Sequence, residues 1–416
     1  MRRHEPDSLY SWGVAAATLT LASLSFGAAN SLPMLFPEIS AEFGWDGSSV
    51  ASLYVATMAG AAVSSLLMGR LLDRIGFFRI GLVATLAMCA GVALASQATA
   101  RWHFYLIYGV LIGGLGQGAF LSTIAAAVSQ WFLRSRSLAV AIAFCGQGVG
   151  GLLVPPLLRA VSGAHGWRHA LLAYAGFSLV AMTIAVALYF PQAPVAVAGA
   201  SRPDPRSRQA GEPGPAAGAA ARPQAGNLVV WLALALLLAN SAAAGVAAHL
   251  VSYGALAGLS PVLAGALMSA HYGLVLVARL AVGYSLDRLD KYMVLLATTG
   301  IQVVGTVLIL ATDSVAMVVA GAVAMGIGFG GYYPAYGAIV QSHYSKEQVG
   351  RRMTELYLAS FIAAGFGTWL VGALFDLRAG RFDLAFFAAF LLSVFALALV
   401  LAGKSRIVGR PPTVGP

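Results

Sequence analysis

Arg279 is the only basic side chain that sits well inside a long apolar run, four residues short of Gly283. A charge at such depth in a bilayer costs a few kcal/mol unless it faces a cavity and a partner. No acid stands within one helical turn, where Val275, Leu276, Val282 and Gly283 fall. A guanidinium presents a planar two-point fork that matches a carboxylate, so an organic anion is the expected partner. The competing reading is a side chain that reaches back to the membrane interface. Tyr272, seven residues earlier, shares the helix face of Arg279 and could add a hydrogen bond to the same ligand. His249 and His271 are candidates for proton transfer near physiological pH or for hydrogen bonds between packed helices. Glu355, the most deeply placed of the 15 acids, is a proton carrier or the ion-pair partner of Arg351 one turn earlier. Tyr332 and Tyr336 share a face and, with Tyr54, either line a cavity or anchor and pack the helices. Gln117 and Phe361 complete the candidate lining.

Other chemistry is excluded. Gly146-Gln-Gly148-Val-Gly-Gly151 and Gly326-Ile-Gly328-Phe-Gly-Gly331 satisfy a dinucleotide-binding glycine pattern, but neither follows a strand in a βαβ unit. Small residues in apolar runs instead allow helices to approach closely. There is no zinc-ligand spacing, nucleophile elbow or phosphate loop, so neither an enzyme nor a metal or cofactor is expected. Cys89 and Cys145 both lie inside apolar runs and imply no disulfide.

The elements that must hold these residues follow from composition. Of 416 residues, 59% are apolar and only 10% charged, against about a quarter charged in an ordinary soluble chain. The apolar residues form twelve runs, at 11–37, 47–69, 79–99, 103–130, 137–160, 167–190, 228–255, 261–284, 292–311, 314–341, 354–376 and 384–403. Each is long enough to cross a bilayer, and in lipid only a helix satisfies its own backbone. The first run is too long for a signal-peptide core and is read as a membrane span. Placing the N-terminus in the cytoplasm puts 19 of the 25 Lys and Arg on that side and five on the other. The net charge of +10 therefore reports orientation and not a nucleic-acid partner. Residues 191–226 hold seven of the 17 prolines and four arginines, and read as a cytoplasmic linker. The chain is expected to divide into a six-helix bundle over 1–190, the linker, and a second bundle over 227–416 with a short tail. Both termini are expected in the cytoplasm of a bacterial inner-membrane protein acting as a monomer.

The two halves repeat each other. Gly69-Arg-Leu-Leu-Asp73-Arg74-Ile-Gly76 ends the second span and Gly283-Tyr-Ser-Leu-Asp287-Arg288 ends the eighth. Gly114, Gly116 and Gly118 correspond to Gly326, Gly328 and Gly330, and Gly148 and Gly150 to Gly365 and Gly367. Internal repeats of this kind accompany a site between two halves that rock against each other. The segment from Gly69 to Arg79 resembles the loop signature between the second and third spans of the major facilitator superfamily. The resemblance implies an all-α fold of twelve spans in two pseudo-symmetric six-helix bundles, with Asp73, Arg74, Asp287 and Arg288 as gating residues.

Trp131-Phe132-Leu-Arg134-Ser-Arg136-Ser-Leu138-Ala139, running on to Gly146 and Gly150, resembles the fifth-span signature of monocarboxylate transporters and the related oxalate/formate group. Asp7-Ser-Leu-Tyr10-Ser-Trp12 resembles a reduced form of that group's first-span motif. The resemblance implies a secondary transporter of small organic anions of the lactate or pyruvate kind; if protons accompany the anion, His249 and Glu355 are the candidate carriers. Arg279 matches the group's substrate-binding arginine, and Asn30 falls where its first-span lysine stands. Val275 replaces an acid common in the group, and no second cation occurs between Leu356 and Leu374, which favours a monoanion over a dianion. The alternatives are an oxalate/formate-type antiporter and a drug or metabolite exporter of the same fold. The exporters tend to carry a Gly-Pro pair in the fifth span, whereas this chain has Val154-Pro155-Pro156.

Overall fold

The structure is a computed structural model that describes residues 5–191, 225–286, 288–310, 314–344 and 346–404, with the backbone alone at 69, 70, 73, 136, 137, 225–227, 346, 347 and 350. Among the described residues there are 12 helices long and apolar enough to cross a membrane. In chain order the spans are Leu9–Met34, Gly47–Ile75, Phe77–Ala95, Arg101–Ser129, Arg136–His165, Trp167–Ala187, Ala225–Leu256, Pro261–Leu286, Lys291–Leu310, Val315–His343, Lys346–Leu377 and Asp383–Ala402. No strand occurs among the described residues. The expected runs and the observed helices agree to within a few residues at most ends. The linker lies almost wholly outside the described residues.

Two local features were not expected. The first span stops at Met34, and a separate helix, Phe36–Phe43, follows with Pro37 in its first turn. Gly44 ends it in the left-handed region, at φ 63°, a conformation glycine adopts without a Cβ penalty. The fourth span is π-helical from Ile107 to Gly118, an i→i+5 arrangement that frequently marks a functional segment. Its glycines lie against the second span: a Cβ on Gly113 would strike the carbonyl of Thr57, and one on Gly118 would meet Ala61 and Ser64 at 2.7 Å.

Packing repeats in the two halves. The first span packs on the fifth as the seventh packs on the eleventh; the second on the fourth as the eighth on the tenth; the third on the sixth as the ninth on the twelfth. The halves meet where the fifth span touches the eighth and the second touches the eleventh. The repeated glycines account for this symmetry. A Cβ on Gly150 would land on the carbonyl of Ser23 in the first span, and one on Gly367 on the carbonyl of Ser241 in the seventh. Their partners two residues earlier face the other half. A Cβ on Gly148 would come within 3.0 Å of Leu276 Cα in the eighth span, and one on Gly365 within 3.4 Å of Val55 Cα in the second. One glycine of each pair thus tightens its own bundle, and the other lets the bundles meet.

The two ends of the molecule differ. The end that carries Arg74, Arg134, Arg288, Lys291, Arg351 and Arg352 is called the basic end here. A cavity reaches it, lined there by Leu286, Gln341 and Met353. The opposite, distal end is closed. Asp376, at the end of the eleventh span, accepts hydrogen bonds from the N–H groups of Gly47 (2.8 Å) and Ser48 (2.7 Å). A carboxylate of the second half thereby caps the N-terminus of the second span. Within the first half, Arg159 pairs with Glu38, which also accepts from Ser162 at 2.9 Å.

Two outcomes follow. Gly148→Ala should lower the melting temperature in detergent by about 1 °C per kcal/mol of overpacking, whereas Gly365→Ala, with ordinary contact distances, should stay near wild type. Equal effects would mean that the five–eight contact is not the tighter one. Asp376→Ala should shift the distal-open to distal-closed ratio by roughly fivefold, from a cap of about 1 kcal/mol. Spin-label distances between the distal ends of the second and eleventh spans read this directly. An unchanged distribution would assign closure to helix packing alone.

Candidate functional site

The cavity lies between the halves, has a volume of about 460 Å³, and is walled by residues of the first, second, fourth, fifth, seventh, eighth, tenth and eleventh spans. Arg279, 9% exposed, lines it from the eighth span and is, among the described residues, the only charged one in its lining. Its Nη1 donates to the Phe144 carbonyl at 2.8 Å and to Gln147 Oε1 at 3.1 Å, both on the fifth span. The guanidinium carbon is 5.7 Å from the centre of the Tyr333 ring, within cation–π range. Nε and Nη2 are buried without a hydrogen-bond partner. The side chain therefore does not reach back to the interface: its head is held across the boundary between the halves. Glycines make this possible, since a Cβ on Gly148 or Gly151 would collide with Leu276 or with the Tyr272 ring.

Around Arg279 the structure collects only part of the expected set. Tyr272, Tyr54, Gln117 and Phe361 line the cavity with it. Asn30 is displaced behind Tyr54: its Oδ1 accepts from the Tyr54 hydroxyl at 3.2 Å and its Nδ2 donates to the Phe26 carbonyl at 2.9 Å. Tyr332 and Tyr336 point into the apolar core of the second half. The cavity face of the tenth span is instead that of Phe329, Tyr333 and Gly337, one residue on and so about 100° round the helix. His249 lies outside the cavity, its ring between Phe36 and Phe382 and its Nδ1 2.9 Å from the Gly245 carbonyl. His271 does border the cavity, with Nδ1 3.1 Å from the Ala322 carbonyl. Glu355 is paired with Arg351 (3.3 Å) and Arg352 (2.9 Å) near the basic end, outside the cavity lining. Of the expected gate, Asp287 and the Asp73 side chain lie outside the described residues. Arg74 is exposed, and Arg288 stacks 3.7 Å over the Tyr284 ring.

Several lining residues were missed. Asn240 Nδ2 donates to the Ser360 carbonyl (2.8 Å) and to Ser360 Oγ (2.9 Å), and Ser360 Oγ is also hydrogen-bonded to the Tyr333 hydroxyl. Gln147 and Tyr357 complete the polar wall. The available signal was amide side chains inside otherwise apolar runs, which bury polarity only for a reason. Asn240 and Gln147 both satisfied it.

The two quoted motifs of the first half form one structure at the basic end. Asp7, at φ 57°, accepts the N–H groups of Leu133, Arg134 and Ser135, each at 3.0 Å. Tyr10 packs on Trp131 and Trp12 meets Phe132 edge-on. The reduced first-span motif thus holds the turn that leads into the fifth span. The N–H of Arg134, with those of Leu133 and Ser135, holds the Asp7 carboxyl below its ordinary pKa of 3.8.

Twelve spans in two like halves, closed at one end around a cavity open to the other, define a polytopic membrane transporter. The chain belongs to the Major Facilitator Superfamily, whose family profile matches residues 17–309 and again 258–414. It resembles the monocarboxylate transporter group. It is 30% identical over 174 residues to human (Homo sapiens) monocarboxylate transporter 11, covering 42% of this chain and 37% of that protein. It is 30% identical over 178 residues to human monocarboxylate transporter 12, covering 42% and 34%, and 32% identical over 182 residues to that of the rat (Rattus norvegicus), monocarboxylate transporter 13, covering 43% and 41%. The matched stretch spans well under half of each relative. In fold the chain is similar to a bacterial homolog of the human lysosomal transporter Spinster in an inward-facing, occupied conformation, with a TM-score of 0.76 at 15% identity, over 96% of this chain and 98% of that one.

The Asp7 contact has a pH signature. A carboxyl whose folded-state pKa lies below its unfolded value stabilises fully above that value and loses the contribution as pH falls through the folded pKa. Asp7→Ala should therefore melt below wild type at pH 7, and the difference should vanish once pH drops well under 3.8. A gap that does not narrow at all as pH falls below 3.8 and through the folded-state pKa would mean that the carboxylate is not what holds the 133–135 turn.

Proposed function

We propose that the protein is a secondary transporter of organic monoanions, a monocarboxylate carrier working by alternating access. The observation that carries this reading is the buried pair of unpartnered donors, Nε and Nη2 of Arg279, in a cavity whose lining holds no other charge among the described residues. These two atoms form one edge of the guanidinium, the edge that a carboxylate grips with both oxygens. A single cation supports a monoanion over the oxalate-type dianion. Likeness to monocarboxylate transporters over about two-fifths of the chain supports the same class.

By the positive-inside rule the basic end is cytoplasmic. The protein then lies in the cytoplasmic membrane with both termini inside, and the conformation described is inward-open. Loading and closure are linked through the charge. An empty site leaves a buried cation uncompensated, which disfavours sealing a dry cavity around it. A bound carboxylate neutralises it and lets the halves rock. Neither His249 nor Glu355 lines this cavity, whereas His271 does, which supports His271 as the imidazole nearest the substrate path.

The test is binding and counterflow of labelled carboxylates in proteoliposomes, with melting temperature as the folding check. Arg279→Lys keeps the charge but loses the fork, and should weaken binding roughly 10- to 100-fold. Arg279→Ala should lose transport while the protein still folds. Near-wild-type carboxylate transport by the alanine variant would sink the anion assignment.

A further inference from the structure

Arg279 is not the only cavity residue with unmet hydrogen-bonding capacity. Asn240, 2% exposed, spends its Nδ2 on Ser360, on the carbonyl at 2.8 Å and on Oγ at 2.9 Å. That orientation leaves its Oδ1 as a buried acceptor without a donor. Buried polar atoms are nearly always paired, so an orphan in a binding cavity indicates what its ligand brings. Arg279 calls for an acceptor and Asn240 for a donor.

The spacing between them is set by Tyr333. Its ring centre is 5.7 Å from the guanidinium, and its hydroxyl bonds to Ser360 Oγ, the same atom that receives Asn240 Nδ2. Arg279 and Asn240 are thus set on different sides of the Tyr333 side chain, the first over its ring and the second beyond its hydroxyl. The rest of the wall is largely aromatic and aliphatic, with Phe26, Phe329 and Phe361 among it. The volume of about 460 Å³ is ample for a ring, since a cavity of about 150 Å³ already admits benzene.

Resting on the anion reading, the geometry points to a substrate class: a monocarboxylate with an apolar, ring-sized body and a hydrogen-bond-donating hydroxyl at the end away from the carboxylate. The carboxylate sits on Nε and Nη2 of Arg279, the body against the aromatic wall, and the hydroxyl donates to Asn240 Oδ1. A three-carbon 2-hydroxy acid carries its hydroxyl beside the carboxylate, cannot bridge the two groups, and leaves most of the cavity unfilled. A site built to pair with a hydroxyl discriminates strongly against the analogue that lacks it.

The experiment is calorimetric titration of the full chain in lipid nanodiscs with 4-hydroxyphenylacetate, phenylacetate, lactate and the neutral 4-hydroxyphenylacetamide. The first should bind at least tenfold tighter than phenylacetate or lactate, and the amide should not bind. Asn240→Ala, or the milder Asn240→Ser, should bring 4-hydroxyphenylacetate down to the affinity of phenylacetate. The wild-type comparison of the two phenyl acids stands whether or not either variant folds. Lactate binding as tightly as 4-hydroxyphenylacetate, with that binding lost in Arg279→Ala, overturns the substrate class and leaves the anion reading intact. A hydroxyl preference that survives at a folded Asn240→Ala also overturns it. Carboxylate binding indifferent to Arg279→Ala, or no carboxylate binding at all, overturns both.

Discussion

The structure turns on one cation held between two bodies. Arg279 belongs to the eighth span, yet its Nη1 is bonded to the backbone and to Gln147 of the fifth. A charge in that position needs a cavity around it, helices close enough to hold it, and a symmetric frame that can part. The glycines at 148 and 151 supply the close approach, and the repeat supplies the frame. Lipid forbids other solutions, because a broken backbone at that depth would leave amides unpaired.

The closed and open ends rest on different physics. Distal closure combines helix packing with a carboxylate that caps a helix of the other half. At the basic end the described charges are mostly satisfied locally, as in the Arg352–Glu355 pair and the Arg288–Tyr284 stack. Local pairs of this kind do not bind one half to the other, consistent with a cavity that reaches that end.

What the sequence made legible was whatever one helix reports by itself. Twelve apolar runs, their repeat and an arginine inside the eighth of them are properties of composition along the chain, and all reappear in the structure. What it withheld depends on rotation about the helix axis and on partners far along the chain. Tyr332 and Tyr333 are adjacent, and only packing against the eighth and ninth spans decides which faces the cavity. Nothing near His249 announces that Phe36 and Phe382, more than a hundred residues away on either side, enclose it. The π-helical stretch lies where the second and fourth spans meet closely, a contact that no periodicity encodes. The amides Asn240 and Gln147 were visible but unranked, because an amide is polar without stating for whom.

The polar array has an uneven ownership. Arg279, Tyr333, Ser360 and Asn240 all ride on the second half, while the first half contributes Tyr54 and Gln117, and the Phe144 carbonyl and Gln147 that hold the far side of the guanidinium. On the function proposed for this site, selectivity and turnover fall on separable residues. Laboratory evolution toward a new cargo has its natural targets at Asn240 and Ser360, which can be varied without touching the contact between the bundles. Variation at Gln147 acts instead on the contact of the eighth span with the fifth, and would trade speed for grip whatever the cargo.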